Sequence, residues 1–66
     1  MKVFVNGEER EFEKELSVAE LIRRLGLLSI RVAVERNKSI VSRQNWESEI
    51  VSEGDRLEIV HFVGGG

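Results

Sequence analysis

Alternating hydrophobic and polar positions mark several short stretches of this chain as strands with one buried face. In the first five residues, Val3 and Val5 fall on one side, and Lys2 and Phe4 fall on the other. The same period of two recurs later in the chain, and a charged stretch whose main apolar residue is Phe12 follows the first strand. The predicted strands are residues 1–5, 8–13, 31–35, 39–41 and 56–63, and the charged second strand is expected at a sheet edge.

One stretch has the period of 3.6 residues that is typical of an amphipathic helix. Ser17 and Glu20 form a capping box, in which the Ser17 hydroxyl accepts from the Glu20 N–H while the Glu20 carboxylate reaches back to the Ser17 N–H. Gly26 stands where a left-handed residue would end the helix. We therefore predict a helix over residues 18–25, with an apolar stripe of Val18, Leu21, Ile22 and Leu25.

The connections between these elements carry turn residues. Asn6 and Gly7 together are a strong hairpin signal, because both central positions of a type I′ turn need a positive φ. Residues 37–38 and 52–55 are also predicted turns, the second with Gly54 at a position of positive φ. These turns separate the predicted strands into pairs that can fold back on each other.

Three further segments are predicted to complete the core. Residues 27–30 form an apolar connection that is expected to close one end of it. Trp46 is the last residue of a single turn or irregular loop over residues 43–46, and it is expected to pack against the core rather than to anchor a partner. Ile50 and Val51 are expected to return an apolar pair to the core.

The order of elements predicts the fold class. One helix cannot cover both faces of a sheet, so the economical packing is an α+β domain with a mixed sheet of about four to five strands wrapped around the helix. The first and last strands are the natural central pair because they are the most apolar, and the helix and middle strands supply the long crossover that a parallel pair requires. This is the ubiquitin-like, or β-grasp, layout.

Composition narrows the classes of function. The chain has 66 residues, which suffices for one small domain with a thin core, so a binding or carrier module is expected. It contains no cysteine and one histidine, which excludes a disulfide framework, a cysteine nucleophile and the usual zinc ligand sets. The net charge of −2 and the spread of charges do not suit nucleic acid, and no stretch resembles a membrane span or a signal peptide. We therefore predict a soluble, cytoplasmic protein.

The sequence closes with three glycines after its most apolar strand. Residues 1–63 are predicted to form the domain, and residues 64–66 a flexible tail. Extended, the three glycines reach about 10 Å beyond the last strand and end in the α-carboxylate of Gly66. Because glycine has no Cβ, such a tail is thin enough to enter a narrow site on another protein.

Four motifs are distinctive when they are taken together. They are VAVERN at residues 32–37, IVSR at residues 40–43 with Trp46 behind it, GDRLEIV at residues 54–60 and FVGGG at residues 62–66. The most specific features among them are the Gly-Asp turn, the apolar last strand and the terminal glycine pair. With these motifs, the chain resembles over essentially its whole length the sulfur carrier proteins of thiamine biosynthesis, the ThiS family.

The resemblance implies a carrier that is a substrate of its partners and not an enzyme. An E1-like adenylyltransferase of the ThiF type would use MgATP to adenylate Gly66, and this chain itself would bind no cofactor and no metal. A sulfur donor, such as a cysteine desulfurase or a persulfide protein, would then leave a thiocarboxylate on Gly66. A thiazole synthase of the ThiG type would take that sulfur into thiazole. Gly65 matches the family's glycine pair, and Gly64 is a third glycine before it.

Alternation along the last strand predicts a docking surface. Leu57 and Ile59, and by the same alternation Val63, would face the helix. Val60 and Phe62 would point away from it. If the first strand is the neighbour, Phe4 joins Val60 and Phe62 as an exposed apolar cluster that binds partners, with Ala33 near it. The alternative is a shifted register that would make these residues part of the core.

No catalytic or ligand-binding role is predicted for the other polar residues. His61 has no carboxylate or second histidine near it in the sequence, so a structural or solvated role is expected. Arg23 and Arg24 are predicted to form a solvated helix face, while Arg36 and Arg43 receive no assigned role. The acidic residues around the second strand are interpreted as a solubilising edge; they are Glu8, Glu9, Glu11, Glu13 and Glu15.

Three other functions suit the same pattern. One is a molybdopterin-type or other sulfur carrier, which shares the fold and the glycine ending. Another is a ubiquitin-like modifier whose terminal glycine forms isopeptide bonds with lysines. The third is an interaction module whose terminal glycines have no function.

Overall fold

The computed structural model describes residues 1–62, and within them the chain forms seven strands, one α-helix and two 3₁₀ turns. Helix α1 (Val18–Arg24) packs on one face of the main sheet. The 3₁₀ turns are Ser29–Arg31 and Arg43–Asn45. The strands are β1 (Lys2–Val5), β2 (Glu8–Glu11), β3 (Leu16–Ser17), β4 (Val32–Arg36), β5 (Ser39–Ile40), β6 (Ile50–Val51) and β7 (Arg56–His61).

The main sheet has five strands in the order β2-β1-β7-β4-β5. Strands β1 and β7 lie parallel at its centre, with Phe4 opposite Arg56 and Val5 opposite Leu57. The other neighbouring strands are antiparallel, so the sheet is mixed. The predicted α+β architecture, a mixed sheet around one helix with a parallel central pair, is thereby confirmed.

A second ladder joins β3 to β6 and was not predicted. Leu16 lies opposite Val51, and Ser17 lies opposite Ile50. A strand of two residues is too short to show alternation in a sequence. The ladder ties the start of α1 to the segment before β7, and Val18 N–H continues it by donating to the Glu49 carbonyl at 2.9 Å.

The hairpin between β1 and β2 turns at Asn6 and Gly7, whose φ angles are 50° and 83°, as predicted. Asn6 has a second role. Its side-chain oxygen accepts from the Ile59 N–H at 2.7 Å, and its amide donates to the Ile59 carbonyl at 3.2 Å. The side chain therefore extends the β1–β7 ladder beyond the end of β1.

The helix begins at the predicted cap and differs in detail. The Ser17 hydroxyl accepts from the Glu20 N–H at 3.1 Å. The Glu20 carboxylate does not return to Ser17 within the described residues, because it pairs with Arg23 at 3.2 Å and Arg24 at 3.7 Å. The last helical residue is Arg24 and not Leu25, and Gly26 has a φ of 74°, as expected beyond a helix end.

The core lies between α1 and the helix-facing side of the main sheet. Leu21 and Ile22 are at most 1% exposed, and burying one such side chain stabilises the fold by about 1.5–3 kcal/mol. Trp46 is also buried, as predicted, and its indole N–H donates to the Val41 carbonyl at 3.0 Å. The sheet contributes Val3, Val5, Val32, Val34, Leu57 and Ile59.

Two predictions about the core are wrong. Leu28 and Ile30 are 64% and 75% exposed, so residues 27–30 do not close the core, and only Leu27 among the leucines and isoleucines of that segment packs against it. The 3₁₀ turn at Ser29–Arg31 turns this segment outward. Ile50 is 44% exposed while Val51 is fully buried, because neighbouring residues of a strand point to opposite sides.

The predicted element boundaries also shift. Strand β2 ends at Glu11 and not at residue 13, although the Phe12 N–H still donates to the Met1 carbonyl at 2.8 Å. Strand β4 occupies Val32–Arg36 in place of residues 31–35, because Arg31 ends the 3₁₀ turn. Strand β5 lacks the predicted residue 41, and β7 ends at His61.

Candidate functional site

The structure describes only part of the predicted site. Gly64, Gly65 and Gly66, together with Val63, lie outside the described residues, so the predicted division into a domain and a tail stays a prediction. Phe62 is the last described residue, and its N–H donates to the Arg31 carbonyl at 2.9 Å. This bond ties the end of β7 to the start of β4.

The side of the main sheet opposite α1 is called the open face. Along β7, Leu57 and Ile59 are 1% and 6% exposed and belong to the core, whereas Val60 is 56% exposed and lies on the open face. Phe62, the next alternate position, is also 56% exposed. Ala33 lies opposite Val60 and is partly buried. The alternation predicted from the sequence therefore has the predicted register.

Phe4 occupies the same face but a different part of it. The parallel register places Phe4 opposite Arg56, which is four residues before Val60 on β7. At about 3.3 Å per residue, Phe4 and Val60 are separated by about 13 Å along the strands. Glu58 lies between the two positions. The structure thus brings Val60 and Phe62 together and sets Phe4 apart from them.

Charged side chains divide the open face. The Arg56 guanidinium carbon lies 4.6 Å from the centroid of the Phe4 ring. Glu58 lies directly opposite Glu35 across β7 and β4, which places two like charges side by side. From the start of β7 to its end, the open face therefore presents a cation on an aromatic ring, then two carboxylates, then an apolar surface.

A buried carboxylate fixes the start of β7. Asp55 is 7% exposed, and one of its oxygens accepts from the Arg36 guanidinium and from the Ser52 N–H, both at 2.8 Å. Its other oxygen accepts from the Asn37 amide at 3.2 Å. Arg36 also donates to Glu49 at 3.0 Å. These bonds connect the turn before β7, the end of β4 and the segment before β6.

The two charges at the centre of this network support each other. Burial alone would raise the pKa of Asp55, but the Ser52 N–H, the Asn37 amide and the Arg36 guanidinium together hold it below its ordinary value. Burial likewise acts to lower the pKa of Arg36, and hydrogen bonds and attraction from Glu49 and Asp55 raise it above its ordinary value. Both residues are therefore charged at neutral pH.

Arg43 has a structural role that the sequence did not reveal. Its guanidinium donates to the Ser29 carbonyl and, at 2.7 Å, to the Val32 carbonyl. It also lies 4.9 Å from the centroid of the Trp46 ring. Arg43 therefore joins the two 3₁₀ turns to the start of β4. Such a role depends on contacts between segments that are distant in the sequence, and these contacts cannot be predicted from one sequence alone.

The remaining candidates lie away from the open face. Arg23 is exposed and pairs with Glu47 at 3.3 Å, which fits the predicted solvated helix face. His61 is exposed and lines a cleft of about 280 Å³ with Arg10 and Arg24. Residues 1–62 contain no group of three or more histidine, cysteine, aspartate or glutamate side chains arranged to hold a metal ion. In the same part of the chain, no helix has the length and apolarity needed to span a membrane.

The chain is similar to known proteins along its entire length. The model of the ThiS family matches residues 3–66. A Bacillus subtilis protein named sulfur carrier protein ThiS is 35% identical over 63 residues, which cover 94% of this chain and 96% of that protein. A crystal structure of the thiamine biosynthesis protein (ThiS) from Geobacter metallireducens superimposes with a TM-score of 0.88 at 32% identity and covers 100% of both chains.

One longer relative contains a segment that is similar to this chain. A Paramagnetospirillum magneticum protein named thiazole synthase is 48% identical over 66 residues. The match covers 100% of this chain but only 20% of that protein. This chain therefore spans one fifth of the length of that relative, and the similarity concerns that fifth alone.

Proposed function

Because the chain belongs to the ThiS family of sulfur carrier proteins of thiamine biosynthesis, we propose that Gly66 carries sulfur as a C-terminal thiocarboxylate. The single observation that carries this proposal is the extent of the family match, which runs to residue 66 and so includes all three glycines. The proposal requires a free α-carboxylate on Gly66 in the working protein. In this role the chain is a carrier and a substrate of other enzymes.

The carboxylate must first be activated, because a carboxylate is a poor electrophile. In the proposed first step, a carboxylate oxygen of Gly66 attacks the α-phosphorus of ATP, and pyrophosphate leaves. An E1-like adenylyltransferase of the ThiF type supplies the nucleotide site and Mg²⁺. The product is a mixed anhydride with AMP, whose carbonyl carbon is open to attack by sulfur.

Sulfur then replaces AMP. The terminal sulfur of a persulfide, held by a cysteine desulfurase or another persulfide protein, attacks the activated carbonyl and expels AMP. The resulting acyl disulfide needs two electrons, and a thiol supplies them by forming a disulfide with the donor's sulfur. Gly66 is left with a thiocarboxylate. The chain contains no cysteine, so both thiol groups in this sequence of steps belong to partners.

We propose thiazole synthase of the ThiG type as the acceptor of this sulfur. In the Paramagnetospirillum magneticum relative, a segment similar to this chain is part of a protein named thiazole synthase. Physical linkage of the two in one polypeptide supports an association between them here. Since activation consumes ATP, the proposal places the chain in the cytoplasm.

The described residues suggest how partners hold the carrier. Val60 and Phe62 present exposed apolar side chains a few residues before the glycines, and such a surface on a small domain suits docking. Gly64 and Gly65 follow, and without a Cβ they suit a narrow channel that leads to the nucleotide. Docking near β7 therefore brings Gly66 towards the reacting groups of the partner.

Reconstitution tests the proposal. The purified chain is incubated with MgATP, a ThiF-type enzyme and a persulfide donor, and its intact mass is followed with and without a thiol alkylator. We expect a mass change equal to the exchange of one oxygen for sulfur, reactivity with the alkylator, and loss of both when Gly66 is deleted. Isopeptide conjugates to lysines would instead indicate a modifier, and sulfur delivery to a molybdopterin precursor but not to thiazole would indicate the other carrier class.

A further inference from the structure

Arg56 sits on the open face with its side chain already held in place. The parallel register sets it opposite Phe4, and its guanidinium carbon lies 4.6 Å from the centroid of the Phe4 ring. At this distance the cation is attracted to the face of the ring. The contact restricts a side chain that otherwise has many rotamers, so less conformational entropy is lost when Arg56 binds a partner.

The same guanidinium has no anionic partner within residues 1–62. Arg10, Arg23, Arg24 and Arg36 each pair with a carboxylate in that part of the chain. Arg56 has no carboxylate oxygen within 4.0 Å there, although Glu58 follows it on the same side of β7, and its side chain donates no hydrogen bond to the described residues. Arg56 is exposed, so its donors are available to a carboxylate, whose two oxygens match the planar fork of a guanidinium.

We propose that Arg56 determines partner specificity by binding a carboxylate side chain of the activating enzyme. This inference rests on the proposed function, because it concerns the same docking event. The contact would lie about 13 Å along β7 from Val60. A partner with an apolar pocket for Val60 and Phe62 and an acidic side chain at that spacing would hold the strand at two points. Two points fix its direction and so the direction in which the glycines continue.

The charges around Arg56 favour an acidic side chain at that one position. Glu58 and Glu35 occupy the next row of the open face, and they repel a partner carboxylate that is displaced towards Val60. On the far side of Phe4, Glu9 lies opposite the ring on β2 and is already paired with Lys2 at 3.4 Å. The arrangement also disfavours a polyanion, which would have to cross the two glutamates. A single carboxylate over the guanidinium fits the observed charge pattern.

Binding of the ThiF-type enzyme, measured by calorimetry, tests the inference independently of the chemistry. We expect Arg56→Glu to weaken binding at least tenfold, because it replaces attraction by repulsion at the contact. Arg56→Lys keeps the charge but loses the fork, and it should show an intermediate loss. Lys14→Glu, which makes the same charge change at an exposed loop position, should bind within about threefold of the wild type.

Steady-state kinetics of thiocarboxylate formation distinguish an effect on docking from an effect on activation. With Arg56→Glu, the KM for the carrier in thiocarboxylate formation should rise at least tenfold while kcat at saturation stays near that of the wild type. Equal binding by Arg56→Glu and the wild type would overturn the inference, and so would an equal loss with Lys14→Glu. A wild type that binds the enzyme but never gains sulfur would refute the proposed function and leave the binding comparison decisive for Arg56. A wild type that does not bind would overturn both.

Discussion

Replacement of Asp55 by asparagine tests the part of the structure that positions β7. The carboxylate accepts three hydrogen bonds, two on one oxygen from Arg36 and Ser52 and one on the other from Asn37. Asparagine has the same shape but presents an NH₂ group in place of one oxygen. In the better orientation, its oxygen keeps the bonds from Arg36 and Ser52, and its NH₂ faces the NH₂ of Asn37.

The expected loss follows from these contacts. The bond from Asn37 is lost, which costs about 1 kcal/mol, and the bond from Arg36 loses its ionic character, which costs a further 1–2 kcal/mol or so. Asn37 cannot simply turn its amide over, because its own oxygen accepts from the Arg56 N–H at 3.0 Å. We expect Asp55→Asn to lower the free energy of unfolding by about 2–3 kcal/mol. For a domain of this size, that corresponds to a fall in Tm of about 10–20 °C.

The effect should depend on pH in a defined direction. The folded-state pKa of Asp55 is lowered below its ordinary value of 3.8, so the folded protein binds fewer protons than the unfolded protein as pH falls through that region. The stability that the carboxylate contributes is therefore fully present above that ordinary value and is lost as pH falls through the lowered pKa. The difference between wild type and Asp55→Asn should be largest at neutral pH and shrink on acidification.

Urea unfolding followed by Trp46 fluorescence, from pH 7 down to pH 3, measures both quantities. Glu13→Gln is the matched control, because Glu13 is exposed and makes no ion pair in the described part of the chain. It should change the free energy of unfolding by less than about 0.5 kcal/mol. A loss for Asp55→Asn no larger than that of the control, or one that does not change with pH, would refute the argument about the network.

Two further predictions concern the proposed docking and transfer. Gly65→Val should leave Tm near that of the wild type by calorimetry but abolish thiocarboxylate formation, because a branched side chain makes the tail too wide for the proposed narrow channel; an unfolded variant would place residue 65 in the core instead. Phe62→Asp should weaken calorimetric binding to the ThiF-type enzyme more than it lowers stability, since Phe62 is already 56% exposed. The control Leu28→Asp alters a side chain that is 64% exposed in the connection after α1, outside the main sheet, and binding weakened equally by both variants would argue against a patch at the end of β7.

Period-two alternation predicted which residues of β7 face the helix, and the reason is local. A strand must place successive side chains on opposite sides, so the buried pair Leu57 and Ile59 and the exposed Val60 follow from one assignment. Leu28 and Ile30 show the limit of the same reasoning. Their hydrophobicity predicts burial, but the 3₁₀ turn that exposes them has no periodic signature of its own.

Contacts between residues that are far apart in the sequence could not be predicted. In the sequence, Asp55 is an ordinary turn residue. Nothing near it indicates that Arg36, 19 residues earlier, donates a hydrogen bond to its carboxylate. Asn6 was predicted as a turn residue, yet its side chain also binds Ile59, 53 residues away. The position of Phe4 under Arg56 likewise depends on the register of β1 against β7, which alternation within each strand leaves open.

The most direct test of sulfur transport is the intact mass of this protein isolated from cells starved for thiamine, measured before and after treatment with a thiol alkylator. The account predicts a species whose mass reflects one oxygen exchanged for sulfur, which reacts with the alkylator and disappears when Gly66 is deleted. Because the chain has no cysteine, any alkylated thiol must be the added sulfur. An unmodified mass, both in these cells and after incubation with MgATP, a ThiF-type enzyme and a persulfide donor, would contradict the account.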